Sequence, residues 1–239
     1  MVVFPRYTRL DTLEISLGNL HKNDMSHARD PSRAALEFHG CREFRDGDAL
    51  RHVHPRSSAR AGVPVVKEFE AEARSRTAIL VDTRERGMAE RVRSKLCRAD
   101  PIEAALSLTA AIVDRLSGTD RVLELLVAGP EVYRFLSAGQ VGYLEEVLDI
   151  LASVEPCRDD PLDRLELLLF EEIRTIQSVC LILTGWDARR EALVSEIGMW
   201  GIGMKVVLLV TNEKQVEGLP PEVTCVSARE VLLGEVRGL

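Results

Sequence analysis

"TAILVD", residues 77–82, is a short apolar run closed by an acid. A polar loop follows, and then "DPIEAALSLTAAIVDRL", residues 100–116, opens with a helix start: Asp100 to cap, Pro101 for the first turn and Glu103 to complete a capping box. "VLELLVAG" (122–129) reads as a second strand. "VGYLEEVLDILA" places apolar residues at 141, 144, 147, 148 and 151, a helical stripe. Asp160, Pro161 and Asp163 repeat the start signal before "LDRLELLLFEEIRTI". The pattern continues with "SVCLILT" as a strand, "DARREALVSEIGMW" as a helix, "MKVVLLVT" and "VTCVS" as strands, and "AREVLLGEVRGL" as a closing helix. Continuous apolar strands alternating with amphipathic helices imply a doubly wound α/β domain, with a mostly parallel sheet covered on both faces. That domain is expected over 75–239.

Residues 1–74 differ. They are polar, hold all five histidines and show only short alternating pieces ("VVF", "LEISL", "VPVVKEF"). An irregular β and loop segment is expected there. Its densest part, "HGCREFRDGDALRHVHPRSSAR" from His39 to Arg60, carries five arginines and almost no apolar run. Arginine presents a flat fork of donors suited to carboxylates. Arg42, Arg51 and Arg60 are therefore expected to clamp Glu43 and Asp48, with Gly47-Asp48 as a turn. Arg45 and Arg56 are left as contacts for an acidic partner or a phosphate. His52 and His54 would share a face on a strand, but a third metal ligand is not evident, and they read as loop histidines.

Bulk composition narrows the function classes. Apolar residues make up 46% and charged residues 29%, an ordinary globular balance. The net charge of −7 argues against non-specific nucleic-acid binding, which needs a positive field. Five cysteines, none in a C-x-x-C pair, fit a reducing cytoplasm better than a disulfide framework. No apolar run approaches the ~20 residues of a membrane span.

In open α/β sheets, ligands sit beyond the carboxyl ends of the strands. Asp82, Gly129, and the Thr184-Gly185-Asp187 group stand there. Neither G-x-G-x-x-G nor G-x-x-x-x-G-K-S/T follows the first strand, and "GIGMK" precedes a strand as a turn, so no nucleotide cofactor is expected. An acid at this place resembles the von Willebrand factor A domains, which hold Mg²⁺ with D-x-S-x-S. Here the frame reads Asp82-Thr83-Arg84-Glu85-Arg86, with arginines at both serine positions. Arg84 and Arg86 oppose a cation and become partner-contact candidates. No cofactor is expected. The alternative is Mg²⁺ held by Asp82, Thr83, Thr184 and Asp187.

The stretch from Gly40 onward resembles the bacterial family known as domain of unknown function 58, whose members carry a von Willebrand A-like domain. Gly40, Arg42, Glu43, Phe44, Gly47, Asp48, Arg51, Ser58, Ala59 and Arg60 follow the order G-x-R-E-F/Y-x-x-G-D-x-x-R and then S-A-R. Lys67, Glu68, Phe69 and Glu70 continue it, as does the strand ending at Asp82. Val53, His54 and Pro55 depart from it, standing where the family has Ile-Asp-Trp. Many members carry two membrane helices ahead of this region, so a short soluble form is implied. The resemblance further implies a non-enzymatic protein-interaction module, an accessory partner of a MoxR-type AAA+ ATPase. It would be cytoplasmic, or held at a membrane through that partner.

Two alternatives compete with this expectation. One is a metal-dependent adhesion domain with Mg²⁺ at Asp82. The other is an uncharacterised hydrolase, for which Ser57 or Ser58 with His54 supplies the only evident pair, since no G-x-S-x-G elbow or H-E-x-x-H is present. Nucleic-acid binding through Arg42 to Arg60 ranks last, because that stretch lacks interleaved aromatics apart from Phe44.

Overall fold

A computed structural model describes residues 4–15, 36–45, 48, 53–71, 75–85, 99–119, 121–129, 131–137, 142–216 and 218–239. The chain divides into two compact units, Asn23–Arg74 and Met1–Lys22 with Ser75–Leu239.

In the smaller unit, β1 (Leu36–Glu43) pairs antiparallel with β2 (Val65–Ala71), with a register irregularity between Phe38 and Gly40. Between them lies α1 (Pro55–Ala61), where only loop and irregular β were expected. Its signals are punctuation instead of periodicity: Pro55 in the first turn, and Gly62 at φ 72° closing the helix with its N–H on the Ser58 carbonyl. Ser58 then staples helix to strand. Its hydroxyl donates to the His54 carbonyl (3.0 Å) and accepts the Val65 N–H (2.9 Å).

The larger unit is mixed α/β. Its strands are β3 (Arg76–Val81), β4 (Val122–Ala128), β5 (Val132–Leu136), β6 (Ser178–Leu183), β7 (Gly203–Val210) and β8 (Val223–Ser227). They lie in the order β5-β4-β3-β6-β7-β8, all neighbours parallel except the β4–β5 pair. Among the described residues its α-helices are α2 (Pro101–Ser117), α3 (Leu144–Ser153), α4 (Leu162–Glu172), α5 (Ala188–Met199) and α6 (Ala228–Leu233).

Strand alternation divides the core in two. Ile79, Val81, Leu125 and Ile182 face the apolar sides of α2, α3 and α6. Ala78, Leu80, Leu126 and Leu181 face Leu165 and Leu169 of α4 and Leu193 and Ile197 of α5. Both faces are covered, which explains why the strands read as unbroken apolar runs. At the start of α2, Asp100 accepts the Ile102 N–H at 3.0 Å, as its position predicts.

Two expectations are revised here. The closing helix ends at Leu233, because Gly234 adopts φ 75° and caps it. The remaining residues run beside the N-terminal segment, with a parallel bridge between Thr12 and Gly238 and the Glu14 N–H on the Leu239 carbonyl (3.0 Å). Residues 4–15 therefore pack with the α/β unit, although the polar character of 1–74 suggested one continuous N-terminal part. Leu10 is buried in the same core as α2 and α6.

Gly129 ends β4 where the 155–157 loop crosses it. A Cβ there would stand 2.6 Å from the Glu155 carbonyl oxygen, a backbone atom that cannot swing aside. Gly129→Ala is expected to cost about 1–3 kcal/mol, the usual penalty of overpacking, read as a lowered urea midpoint.

Candidate functional site

The carboxyl ends of β3 and β6 carry the densest polar cluster described. Asp82 follows β3 and is fully buried. One of its oxygens accepts the Arg84 N–H at 3.0 Å. The other accepts Nε of Arg190 at 3.0 Å and the Thr184 hydroxyl at 3.2 Å. Arg190 sits in the first turn of α5 and is only 1% exposed. Its Nη1 reaches Asp160 at 3.1 Å and Asp187 at 2.8 Å, and its Nη2 reaches the second oxygen of Asp160 at 3.3 Å. Asp187 caps α5 by accepting the Arg190 N–H at 3.0 Å. From the solvent side, Nη1 of Arg84 bridges Asp160 and Asp187, each at 3.1 Å. Three carboxylates thus converge on one buried guanidinium, with a second closing the cluster from outside.

A cation in the first turn of a helix opposes the helix dipole, and burial opposes any charge. Arg190 bears both penalties, so its place depends on the three acids. Its own pKa is raised: burial pulls it down, but hydrogen bonds and charge from Asp82 and Asp160 outweigh that. The Asp187 carboxyl is held below its ordinary value. Burial pushes it up, and the Arg190 N–H, the Arg190 guanidinium and Arg84 prevail.

The residues of the expected metal set separate here. Asp82 and Thr184 touch, and Asp187 is joined to them through Arg190. Thr83 turns away, its hydroxyl donating to the Ala128 carbonyl of β4. Among the described residues no group of three or more His, Cys, Asp or Glu is arranged to hold a metal ion. The guanidinium of Arg190 lies where the carboxylates meet, so the donor set as it stands does not fit Mg²⁺.

Arg190 and Asp160 were not among the residues expected at this site. A signal for Arg190 was present: it shares the i, i+3, i+4, i+7 stripe with Leu193, Val194 and Ile197, all buried. A charged residue on a buried stripe needs a partner. Asp160 was legible only as a helix start, a role it also fills by accepting the Leu162 N–H at 3.2 Å.

Next to the cluster opens a cleft of about 930 Å³, lined by acids (Glu85, Glu155, Asp159, Asp160 and Asp163) with Arg158 and Arg164. Arg164 ties its wall together, donating to the Gly129 carbonyl at 2.7 Å and to Sγ of Cys157 at 3.2 Å.

In the smaller unit, Arg42 clamps Asp48 through two parallel bonds of 2.7 and 2.8 Å. Glu43 is not clamped through its carboxylate by Arg42; Arg42 donates instead to the Glu43 carbonyl at 3.1 Å. The Asp48 carboxyl is held down at about 2 by the Arg42 bonds first and the Arg45 N–H second. A lowered folded value means that its contribution is complete above the ordinary carboxylate range and fades as pH falls through about 2. Arg42→Ala is expected to raise the Asp48 titration toward the ordinary carboxylate range, with the Arg45 N–H still holding it down in part, followed by carboxyl carbon shifts.

Phe44 is partly buried, with its N–H on the Pro64 carbonyl (2.9 Å). Arg45, Arg56 and Arg60 are exposed. His54 Nδ1 lies 2.7 Å from the Ser57 hydroxyl, and the exposed Cys41 sulfur lies 4.0 Å from that nitrogen and 3.8 Å from that hydroxyl. Gly47, Arg51, His52 and Arg86 lie outside the described residues.

The family described as "Protein of unknown function DUF58" matches residues 40–185, more than half of the chain, and the chain belongs to it. No curated protein matches the chain. Among the described residues no helix is long and apolar enough to cross a membrane.

Proposed function

We propose that this member of the DUF58 family is a non-enzymatic interaction module, an accessory partner of a MoxR-type AAA+ ATPase. In this reading the larger unit is a doubly wound, von Willebrand A-like domain that works in the cytoplasm or at a membrane through its partner. One observation carries the proposal. The strand-end position where an α/β fold places its ligand is filled by the chain's own ion network of Asp82, Asp160, Asp187 and Arg190. A position saturated from within favours docking at the surface over chemistry at a centre. Arg84 and Asp187, each 42% exposed, are the outer members of that network. Arg45 and Arg56 offer further cations on the smaller unit.

The test mixes the full chain with a MoxR-type ATPase from the same source and follows assembly by native mass spectrometry. A complex at micromolar concentration is expected, weakened by Arg84→Ala. Absence of any complex overturns the reading.

The cluster of Cys41, His54 and Ser57 favours a second reading, a hydrolase in which His54 accepts the Ser57 proton as the hydroxyl attacks an ester carbonyl, passes it to the alcohol that leaves as the ester C–O bond breaks, and then activates the water that releases the acid from Ser57. It predicts p-nitrophenyl acetate turnover that is lost in both Ser57→Ala and His54→Ala. Turnover unchanged in these variants removes it.

A further inference from the structure

Residues 4–15 and the last residues of the chain lie side by side although the whole sequence separates them. Asp11 donates its N–H to the Arg237 carbonyl at 2.7 Å and Glu14 donates to the Leu239 carbonyl at 3.0 Å. The Leu239 N–H returns to the Thr12 carbonyl at 3.2 Å. Side-chain size fixes the register. Thr8 lies against Gly234 and Thr12 against Gly238, and a Cβ on either glycine would collide with the hydroxyl of its threonine. A slip of one residue would set the threonines against residues that carry side chains. Leu10, between the two threonines, is 5% exposed. Tyr7, Leu13 and Ile15 pack partly buried on the same core, as do Val236 and Leu239 from the other segment.

These two segments bind each other more than they bind the sheet. Among the described residues, their backbone hydrogen bonds run between them or back to α6, and none reaches β3–β8. Their ion pair, Arg9 with Asp114 of α2 at 3.0 Å, leaves Arg9 81% exposed and contributes little. Apolar contact centred on Leu10 is what holds them down. Terminal elements with few bonds to the core open at lower free energy than central strands. We infer that residues 4–15 and 234–239 form a clasp that opens and closes as one unit while the sheet stays folded. Its place in the chain gives the opening a consequence. Residues 23–74 are a separate unit inserted between Lys22 and Ser75 of the larger one. With the clasp closed, the chain leads into that unit from a fixed segment at each end; with it open, only the connection at Ser75 is fixed. Opening also uncovers the apolar surface on which Leu10 sits. The clasp is independent of both functional readings above.

The test is amide hydrogen exchange of the full chain, resolved by NMR. In the wild type, Asp11, Glu14 and Leu239 share one level of protection, below that of Leu80 and Leu181 in the sheet. Glu14→Pro removes a donor from the first segment at an exposed position. It speeds exchange at Asp11 and Leu239 by about tenfold, the equilibrium effect of one backbone hydrogen bond, and leaves Leu80 and Leu181 unchanged. Gly238→Val, on the other segment, speeds exchange at Asp11 and Glu14 in the same way. Two results overturn the inference. One is a change that stays on its own segment, with Leu239 unaffected by Glu14→Pro or Asp11 unaffected by Gly238→Val. The other is exchange at Leu80 and Leu181 that rises by the same factor as at the clasp. If the variants do not fold, the wild type in dilute urea decides. The clasp amides are expected to exchange with a shallower urea dependence than Leu80 and Leu181, and equal slopes overturn the inference.

Discussion

Replacing Arg190 with methionine lowers the stability of the α/β unit by about 3–5 kcal/mol, the cost of removing one partner from a buried ion pair. Methionine fills much of the same volume, so little of the loss comes from a cavity. The loss comes from Asp82, which is fully buried and keeps only the Thr184 hydroxyl and N–H and the Arg84 N–H as donors. The double variant Asp82→Asn with Arg190→Met is expected to recover part of that loss, because the stranded charge is gone. Trp186 and Trp200, the chain's two tryptophans, flank α5 and make fluorescence in urea a local readout. The difference between wild type and Arg190→Met should also narrow in acid. The Asp187 carboxyl has a lowered folded value, so its contribution is full above its ordinary range and disappears as pH falls through that lowered value. An equal loss for the single and double variants would show that Arg190 acts by packing alone.

Glu124→Ala is expected to cost about 3 kcal/mol, at the lower end of the same range. Glu124 lies near the start of β4, between β3 and the antiparallel edge strand β5, and is fully buried. Its two oxygens accept Nη2 of Arg76 and Nε of Arg134, each at 2.8 Å. Both arginines also reach Glu172, at 3.2 and 3.0 Å. This alternative partner, together with the partial exposure of Arg134, is why the loss sits at the lower end. Glu124→Gln keeps one acceptor and should lose about 1–2 kcal/mol. Glu172→Ala, on the half-open side of the network, should lose no more than about 1 kcal/mol. The order of the three variants in urea midpoint is the check. If Glu172→Ala cost as much as Glu124→Ala, burial would not be what sets the scale.

These two networks occupy opposite ends of the sheet, and they differ in how visible they were beforehand. Asp82, Thr184 and Asp187 stand at ends of apolar runs, where elementary α/β topology points. In sequence, the cations nearest Asp82 are Arg84 and Arg86, which the order of residues marks only as opposing a metal ion. The cation at the centre is Arg190, and Arg84 closes the cluster from outside. Sequence proximity ranks neighbours along the chain, whereas a buried guanidinium is set by which helix face packs on the sheet. The strand β5 was missed for a related reason. "VYRFL" is only five residues long, is interrupted by Arg134 and is only partly buried, as an edge strand must be, so it lacks the unbroken apolar run that marked the others. In the smaller unit, the sequence predicts a turn at Gly47-Asp48, which lies partly outside the described residues, and a clamp by Arg42. The clamp on Asp48 is present, whereas the Glu43 half of that expectation is met only at the backbone.

What the amino-acid order determined alone was local and periodic. Apolar runs of strand length, helical stripes, Asp-Pro starts and closing glycines each act over a few residues, and they suffice for an α/β unit with both sheet faces covered. What only the tertiary structure decided was long-range electrostatics. Asp82 and Arg190 are 108 residues apart and Arg76 and Glu124 are 48 apart, and each pair meets because parallel strands bring distant segments together. A charge has no period, so its partner is found only when the fold has removed both from water.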